Sequence, residues 1–233
     1  MAEELFTDEF LEPTVDALYR LNEVQVDYRT PAGVVTAIQG ITVDITAGGI
    51  TCLSGPSGSG KSTMLRVLGL IDRPTTGKIW LRGTEVGGLG QRKRRTIRRT
   101  ELATVFQAPT DNLLDHLSVG ANLKAAAQAA GQPDRTLEVL EQLGLPGTAD
   151  WRITALSGGQ QQRLAFGCGL AKGASVILAD EPTSQLDTTS ADLVLETITS
   201  LGRSGITIVV ASHDDRLMPL ADRIIHLHNG ELS

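Results

Sequence analysis

The sequence is organised around residues 55–63, which read Gly55-Pro56-Ser57-Gly58-Ser59-Gly60-Lys61-Ser62-Thr63. This stretch matches the pattern G-x-x-x-x-G-K-[ST], in which glycines let successive backbone N–H groups turn inward around an anion. An apolar segment, residues 49–54, precedes it, and a helix-like segment, residues 62–68, follows it. The positive end of that helix dipole would point at the same anion. The pattern and its context predict a phosphate-binding loop rather than a glycine-rich surface turn.

Two side chains of the loop suit a nucleotide and its metal. Lys61 can reach the β- and γ-phosphates, and Ser62 can place its hydroxyl on Mg²⁺. A second segment fits the same site, because residues 175–180 read as a buried strand that ends in Asp180-Glu181. Asp180, at the carboxyl end of a parallel strand, can hold Mg²⁺ through water. Glu181 can accept the proton of a water that attacks the γ-phosphate, provided that the chain turns here, for which Pro182 supplies a reason.

The composition limits the class of protein. The chain has 233 residues, 41% of them hydrophobic, which suits a single domain over residues 1–233, with or without subdomains. The net charge of -6 argues against nucleic acid as a partner. The acidic start lacks the features of a signal peptide, and no run has the length of a membrane helix. Cys52 and Cys168 lack metal-ligand spacing and indicate a reducing compartment, so we expect a cytosolic protein that reaches a membrane only through a partner.

The chain divides into segments of different texture. Residues 1–17 read as a loose acidic arm, and residues 18–46 as strands that should pair antiparallel. After the loop, strands alternate with helices, which predicts an α/β fold with a parallel sheet. Residues 108–157, approximately, look like a helical insertion. The basic run at residues 91–100 is typical of the solvated face of a short helix, with nucleic acid or anionic lipid as the alternative.

Residues 156–160, Leu156-Ser157-Gly158-Gly159-Gln160, predict a second anion site. Ser157 can cap the helix that follows, and the glycines expose backbone N–H groups at its start. Two phosphate-binding halves too far apart to converge within one chain suggest that each half belongs to a different subunit. Two chains would then pair head to tail, with a nucleotide clamped between them.

Taken together, these motifs resemble the ATP-binding subunits of ABC transporters. Residues 156–160 look like the signature motif, residues 55–62 like Walker A, and residues 176–181 like Walker B with its catalytic glutamate. The resemblance implies a P-loop NTPase with a RecA-like parallel-sheet core, an antiparallel β subdomain and an inserted α-helical subdomain. It also implies ATP and Mg²⁺ as ligands, a homodimer, a membrane permease as partner, and a place at the cytoplasmic face of the plasma (inner) membrane.

The same resemblance assigns roles to four further residues. Gln107 is similar to the glutamine that touches Mg²⁺ and senses the permease, which gives Ser62, Gln107 and Asp180 as metal contacts. His213 looks like the histidine that contacts the γ-phosphate, and Tyr28 like the aromatic residue that stacks on adenine. Asp187 ends a stretch that resembles the D-loop.

Residues 68–77 narrow the resemblance to the subgroup that serves macrolide efflux, lipoprotein release and cell division. Two alternatives stay open at this point: an ABC ATPase that regulates an extracytoplasmic enzyme or sensor without transport, and one that acts on nucleic acid. The chain departs from the family where it reads Gly167-Cys168-Gly169-Leu170 in place of Ala-Arg-Ala-Leu.

Overall fold

The computed structural model describes residues 17–233, which form two sheets and several helices. Every α-helix of this described part lies after residue 60. The helices are α1 Lys61–Leu68, α2 Gln91–Thr100, α3 Val119–Ala130, α4 Thr136–Gln142, α5 Gly158–Ala171 and α6 Thr188–Arg203. The strands are β1 Ala17–Thr30, β2 Gly33–Thr46, β3 Ile50–Ser54, β4 Thr76–Leu81, β5 Thr84–Glu85, β6 Leu102–Val105, β7 Val176–Asp180, β8 Thr207–Ala211, β9 Arg223–His228 and β10 Glu231–Leu232.

The first sheet is antiparallel and has the strand order β2-β1-β4-β5. In β1, Leu21 lies opposite Val43 of β2 and Ile79 of β4. The predicted antiparallel pairing of the early strands is confirmed. The predicted loose arm, residues 1–17, lies outside the described residues except for Ala17. That residue belongs to β1 and pairs with Thr46, so the first strand begins one residue earlier than predicted.

The second sheet has the order β10-β9-β3-β8-β7-β6 and is parallel except at the β9–β10 hairpin. Its central strands are buried on both faces. One hydrophobic cluster lies between this sheet, α1 and the first sheet, and another lies against α5 and α6. Because β3 and β7 belong to one parallel sheet, the phosphate loop after Ser54 and the carboxylate of Asp180 open on the same edge.

At two positions of the phosphate loop, the backbone conformation and the close approach of neighbouring strands require glycine. Gly60, just before α1, has a φ of 103°, and a Cβ atom there would lie 2.7 Å from the carbonyl oxygen of Ala37. Gly55 has a φ of 148°, and its Cβ would lie 2.1 Å from the carbonyl oxygen of Leu227. A residue with a side chain fits neither place. The glycines thus let the loop pass closely between β2 and β9.

A third hydrophobic cluster surrounds α3 and α4. It also contains Leu164 and Ala171 of α5, so the apolar packing of the helical segment continues beyond residue 157. The assignment of residues 108–157 as a separate subdomain stays a prediction.

Close packing explains the glycines at which α5 departs from the family pattern. A Cβ atom on Gly167 would lie 2.4 Å from a methyl carbon of Leu143 and 3.3 Å from one of Leu123. A Cβ on Gly169 would lie 2.9 Å from that of Ala103 in β6. Helix α5 therefore lies closer to its neighbours than alanine at these positions would allow.

The basic run forms a short helix, α2, with a solvated face as predicted, but two of its six basic side chains have partners inside the fold. Arg94 is buried and donates hydrogen bonds to the carbonyl oxygens of Leu70 and Asp72. Arg98 donates to the carbonyl oxygen of Leu70 as well. These two cations hold the turn after α1, because long basic side chains can pack their stems and still use their charged heads. The remaining basic side chains of α2 are exposed: Arg92, Lys93, Arg95 and Arg99.

Cys52 is a buried core residue, as predicted, whereas Cys168 is partly buried and packs against the third hydrophobic cluster. Burial raises the pKa of Cys52 to about 11 and that of Cys168 to about 12. Thiols with pKa values this high stay protonated and unreactive near neutral pH. Within residues 17–233, no helix combines the length and apolar character needed to cross a membrane.

Candidate functional site

The phosphate loop lines a cavity of about 690 Å³ at the carboxyl edge of the parallel sheet. Small-molecule sites commonly have volumes of about 300–1,000 Å³. Gln107, Glu181 and His213 line the same cavity, so the fold brings together residues far apart in sequence. Ala37 of β2 lines it as well, and no sequence pattern marks that residue. The loop contributes Gly55, Pro56, Ser57, Gly58, Ser59, Gly60, Lys61, Ser62 and Thr63.

The Lys61 side chain folds back over its own loop and is buried. Its Nζ atom donates hydrogen bonds to the carbonyl oxygens of Gly55, at 2.7 Å, and Pro56, at 3.1 Å. An anionic phosphate oxygen is a stronger electrostatic partner for an ammonium group than a carbonyl oxygen. The lysine is therefore held where its ammonium group could exchange these carbonyl oxygens for the oxygens of an anion bound by the loop.

Ser62 and Asp180 form a pair of oxygen donors suited to Mg²⁺. The Ser62 hydroxyl donates to Oδ1 of Asp180 at 3.0 Å, across the gap between α1 and β7. Burial raises the pKa of Asp180, and the hydrogen bond from Ser62 partly opposes this rise. Mg²⁺ binds hard oxygen ligands, usually one or two from the protein and the others from phosphate and water. The described residues contain no cluster of three or more His, Cys, Asp or Glu side chains that could hold a metal.

The chain turns sharply at Glu181 itself, rather than at Pro182. Glu181 has a φ of 47°, in the left-handed region that few residues with side chains adopt. As a result, the two adjacent carboxylates meet different partners. Asp180 accepts from Ser62, whereas Oε1 of Glu181 lies 2.9 Å from Nδ1 of His213.

A hydrogen bond between Thr183 and Asp214 ties together the segments that carry Glu181 and His213, and an ion pair with Arg216 holds the Asp214 carboxylate. Asp214 accepts hydrogen bonds from the Thr183 hydroxyl, at 2.9 Å, and from Nη2 of Arg216, at 2.7 Å. The Arg216 guanidinium, together with the Thr183 hydrogen bond, lowers the pKa of Asp214 to about 2. Sequence reasoning missed Thr183 and Arg216, since an acidic residue directly after His213 was the only local indication.

Two side-chain amides hold the backbone that presents Gln107. The N–H group of Phe106 donates to Oδ1 of Asn112 at 3.0 Å, and its carbonyl oxygen accepts from Nε2 of Gln162 at 3.2 Å. Gln162 is fully buried in α5, two residues after Gln160 of the signature-like segment. The segment before Gln107 is thus attached to the helix that begins at the second predicted anion site.

Tyr28 is not among the residues that line the cavity. Its hydroxyl donates to Oδ2 of Asp72 at 2.7 Å, and Arg66 pairs with the same carboxylate. Burial and the hydrogen bond to Asp72 raise the pKa of Tyr28, whereas the side chain of Thr63 in the phosphate loop lowers it. Tyr28 therefore lies beside the loop, and its role in stacking adenine stays a prediction.

Ser157 caps α5, as predicted. Its Oγ accepts from the N–H of Gln160 at 3.3 Å, and Oε1 of Gln160 accepts from the N–H of Ser157 at 2.9 Å. A Cβ atom on Gly159 would lie 2.7 Å from that of Ser190, so this end of α5 packs tightly on α6. Asp187 caps α6 by accepting from the N–H of Ser190 at 3.0 Å.

The signature-like segment does not reach the cavity of its own chain. Ser157, Gly158, Gly159, Gln160 and Asp187 are all missing from the described residues that line it. The second predicted anion site is thus separate from the phosphate loop within one chain.

Residues 38–184 match the family model described as ABC transporter. The chain belongs to the ABC transporter family. It is an ATP-binding domain and ATPase of the ABC type, with the α/β P-loop NTPase fold that the sequence predicts. The matched range contains the phosphate loop, Gln107, the signature-like segment and Glu181.

Curated relatives of this ABC ATPase agree with the predicted subgroup. The chain is 37% identical over 222 residues to the lipoprotein-releasing system ATP-binding protein LolD of Novosphingobium aromaticivorans, covering 93% of this chain and 99% of that protein. It is 36% identical over 219 residues to the macrolide export ATP-binding/permease protein MacB of Brucella abortus, covering 92% of this chain and 34% of that protein. The chain thus spans about a third of the length of the MacB relatives that it matches.

Solved structures confirm the fold of this ABC ATPase. The dimeric structure of a post-hydrolysis state of the ATP-binding cassette MJ0796, bound to ADP and Pi, matches with a TM-score of 0.81 and 31% identity. That comparison covers 92% of this chain and 96% of the other.

Proposed function

We propose that this ABC ATPase is the ATP-hydrolysing subunit of a transporter, which dimerises around two Mg·ATP and drives a membrane permease. The observation that carries the proposal is the Glu181–His213 pair, which faces the same cavity as Lys61 and Ser62. A carboxylate held beside a phosphate-binding loop is what the activation of an attacking water requires.

The proposed chemistry divides among the residues of the cavity. The backbone N–H groups of residues 55–63 and the ammonium of Lys61 hold the β- and γ-phosphates. Glu181 accepts the proton of the attacking water, while His213 orients that carboxylate and contacts the γ-phosphate. Tyr28, beside Thr63, is proposed to stack on the adenine.

Ser62, Asp180 and Gln107 are the residues proposed to hold Mg²⁺, with Asp180 acting through water. The 3.0 Å contact between Ser62 and Asp180 supports this proposal, because it places two hard oxygen donors together at the phosphate loop. Bound there, the ion would neutralise charge on the β- and γ-phosphates. Gln107, held through Phe106, is also proposed to sense the permease.

The dimer would complete each nucleotide site with the signature-like segment of the second copy. Ser157, Gly158, Gly159 and Gln160 would face the phosphates bound to the other chain, with Asp187 nearby. Two observations support this arrangement: the segment lies away from the cavity of its own chain, and the similar cassette MJ0796 is a dimer bound to ADP and Pi.

The partner outside the dimer is proposed to be an integral membrane permease. Similarity to LolD and MacB favours an exporter or a force-transmitting complex of the lipoprotein-release or macrolide-efflux type. The chain would then lie at the cytoplasmic face of the plasma (inner) membrane as a peripheral subunit, and we expect no nucleic acid in the complex.

The test is the substitution Glu181→Gln, which keeps the shape of the side chain and removes the base. We expect ATP to bind with affinity close to that of the wild type. Turnover should fall at least about 100-fold, because a general base contributes about 10²–10⁴. The same change at Glu141, an exposed residue in the last turn of α4, is the matched control. Wild-type turnover in Glu181→Gln would rule out Glu181 as the base.

A further inference from the structure

Four exposed cations on α2, here called the α2 stripe, have no described partner. They are Arg92, Lys93, Arg95 and Arg99, and among residues 17–233 their side chains form no hydrogen bond and no ion pair. Three of them, Arg92, Arg95 and Arg99, recur at helical spacing and share one side of the helix. Since like charges at this spacing repel each other, the stripe favours an anionic partner.

The charge of the chain is divided unequally along its length. Residues 1–16 contain six acidic residues and no basic residue. The whole chain has 27 acidic and 21 basic residues, so residues 17–233 carry 21 of each sign. The entire negative excess of -6 therefore belongs to the segment before β1. Its acidic residues are Glu3, Glu4, Asp8, Glu9, Glu12 and Asp16.

The acidic segment joins the described fold close to the end of α2. The carbonyl oxygen of Leu18, the second residue of β1, accepts from the N–H of Arg82 at 2.8 Å. Nε of Arg82 lies 3.8 Å from Oε2 of Glu101, the residue directly after α2. Only two contacts thus separate the start of β1 from the end of the basic helix.

The length of the segment is sufficient to cover the stripe. Sixteen extended residues span up to about 50 Å, whereas the ten residues of α2 rise about 15 Å. A segment tethered this close has a local concentration in the millimolar range, so individually weak charge pairs suffice for docking.

We propose that residues 1–16 dock on the α2 stripe of the same chain as an acidic cover. Charge complementarity favours this occupant: six carboxylates meet a helix with four unpaired cations, whereas residues 17–233 outside the stripe have more acidic than basic residues. An anionic membrane or a nucleic acid would have to displace a tethered competitor of the same charge. The inference does not depend on ATP hydrolysis or on the permease.

The test uses the full chain with the photo-crosslinking residue benzoylphenylalanine in place of Phe10, in the middle of the acidic segment. After irradiation at about 50 mM salt, mass spectrometry of the monomer band should locate crosslinks in residues 91–100. Crosslinking should be lost at about 1 M salt, because the Debye length falls to about 3 Å. It should also be lost when the stripe is neutralised by Arg92→Gln, Lys93→Gln, Arg95→Gln and Arg99→Gln.

A matched variant with the same loss of charge elsewhere should keep the crosslinks. Crosslinks that spread over other elements, or that survive neutralisation of the stripe, would overturn the proposal. Crosslinks between two chains would show that the stripe binds a second copy of the chain instead. If the unmodified full chain cosedimented with phosphatidylglycerol vesicles, and neutralising the stripe abolished this, the stripe would bind an anionic membrane instead. The matched variant carries Arg29→Gln, Lys78→Gln, Arg152→Gln and Arg203→Gln, all at exposed positions.

Discussion

At Glu181 one backbone angle separates the tasks of two adjacent carboxylates. In an ordinary strand they would point to opposite faces, whereas the φ of 47° sends Glu181 toward His213 and leaves Asp180 with Ser62. Such a conformation costs about 1–3 kcal/mol and persists only where the surroundings hold it. Asp214 supplies part of that restraint, because it links Thr183, two residues after Glu181, to the segment of His213.

The restraint by Asp214 predicts a loss of stability in acid. The pKa of Asp214 is about 2 in the folded chain, below the value of about 3.9 expected when unfolded. The unfolded state therefore binds the proton first, and the contribution of Asp214 is fully present above about pH 4. It should be lost as the pH falls from about 4 to about 2. Urea unfolding of the wild type and of Asp214→Asn should differ at pH 6 and converge as the pH falls from about 4 toward about 2.

The matched control for this prediction is Asp215→Asn, which changes the neighbouring, exposed carboxylate in the same way. It should leave the free energy of unfolding within about 0.5 kcal/mol of the wild type at every pH, as is usual for exposed sites. Equal effects of the two substitutions would contradict the role given to Asp214.

At the scale of the element, two helices offer a test that separates capping from nucleotide contact. Ser157 caps α5 and Ser118 caps α3, each by accepting from the backbone N–H three residues later. Replacing either by alanine should cost about 1 kcal/mol of stability, measured by urea unfolding. Both substitutions should lower the free energy of unfolding by this amount, but only Ser157→Ala should also weaken ATP-dependent dimerisation. If Ser118→Ala weakened it equally, Ser157 would be a cap and nothing more.

The close packing of Gly167, in α5, leads to a second prediction at the scale of the element. Alanine is the better helix former by about 1 kcal/mol, yet Gly167→Ala should destabilise the chain. Its methyl group would meet Leu143 and Leu123, and overpacking of a core commonly costs about 1–3 kcal/mol. The double variant Gly167→Ala/Leu143→Ala should show a favourable interaction energy in a double-mutant cycle. Additive effects would contradict the close packing of α5.

The periodicity of the sequence was sufficient to predict most elements, because strands and helices follow local patterns. It could not distinguish Arg94, which is buried, from Arg95, which is exposed, since both belong to one basic run. Nor could it predict that Gly167 is a packing position, because Leu143 contacts it only after α4 folds back on α5. These contacts depend on how the elements pack against one another, and local sequence patterns do not contain that information.

At the scale of the whole molecule, the motifs predicted the members of the candidate site but not their supports. Residues 55–63, Gln107, Glu181 and His213 share one cavity, as the family resemblance implied. The groups that hold them, such as Gln162 behind Gln107, came only from the three-dimensional arrangement. The separation of the signature-like segment from this cavity leaves each chain with half of a proposed nucleotide site.

The central claim is that ATP joins two such halves. The most direct measurement is the mass in solution of the Glu181→Gln chain, by light scattering, with and without Mg·ATP. We expect a single chain of 24.7 kDa without nucleotide and twice that mass with it. Lys61→Ala, which removes the phosphate-binding ammonium, should stay a single chain in both conditions. A Glu181→Gln chain that binds ATP fully and keeps the mass of one chain would contradict the account.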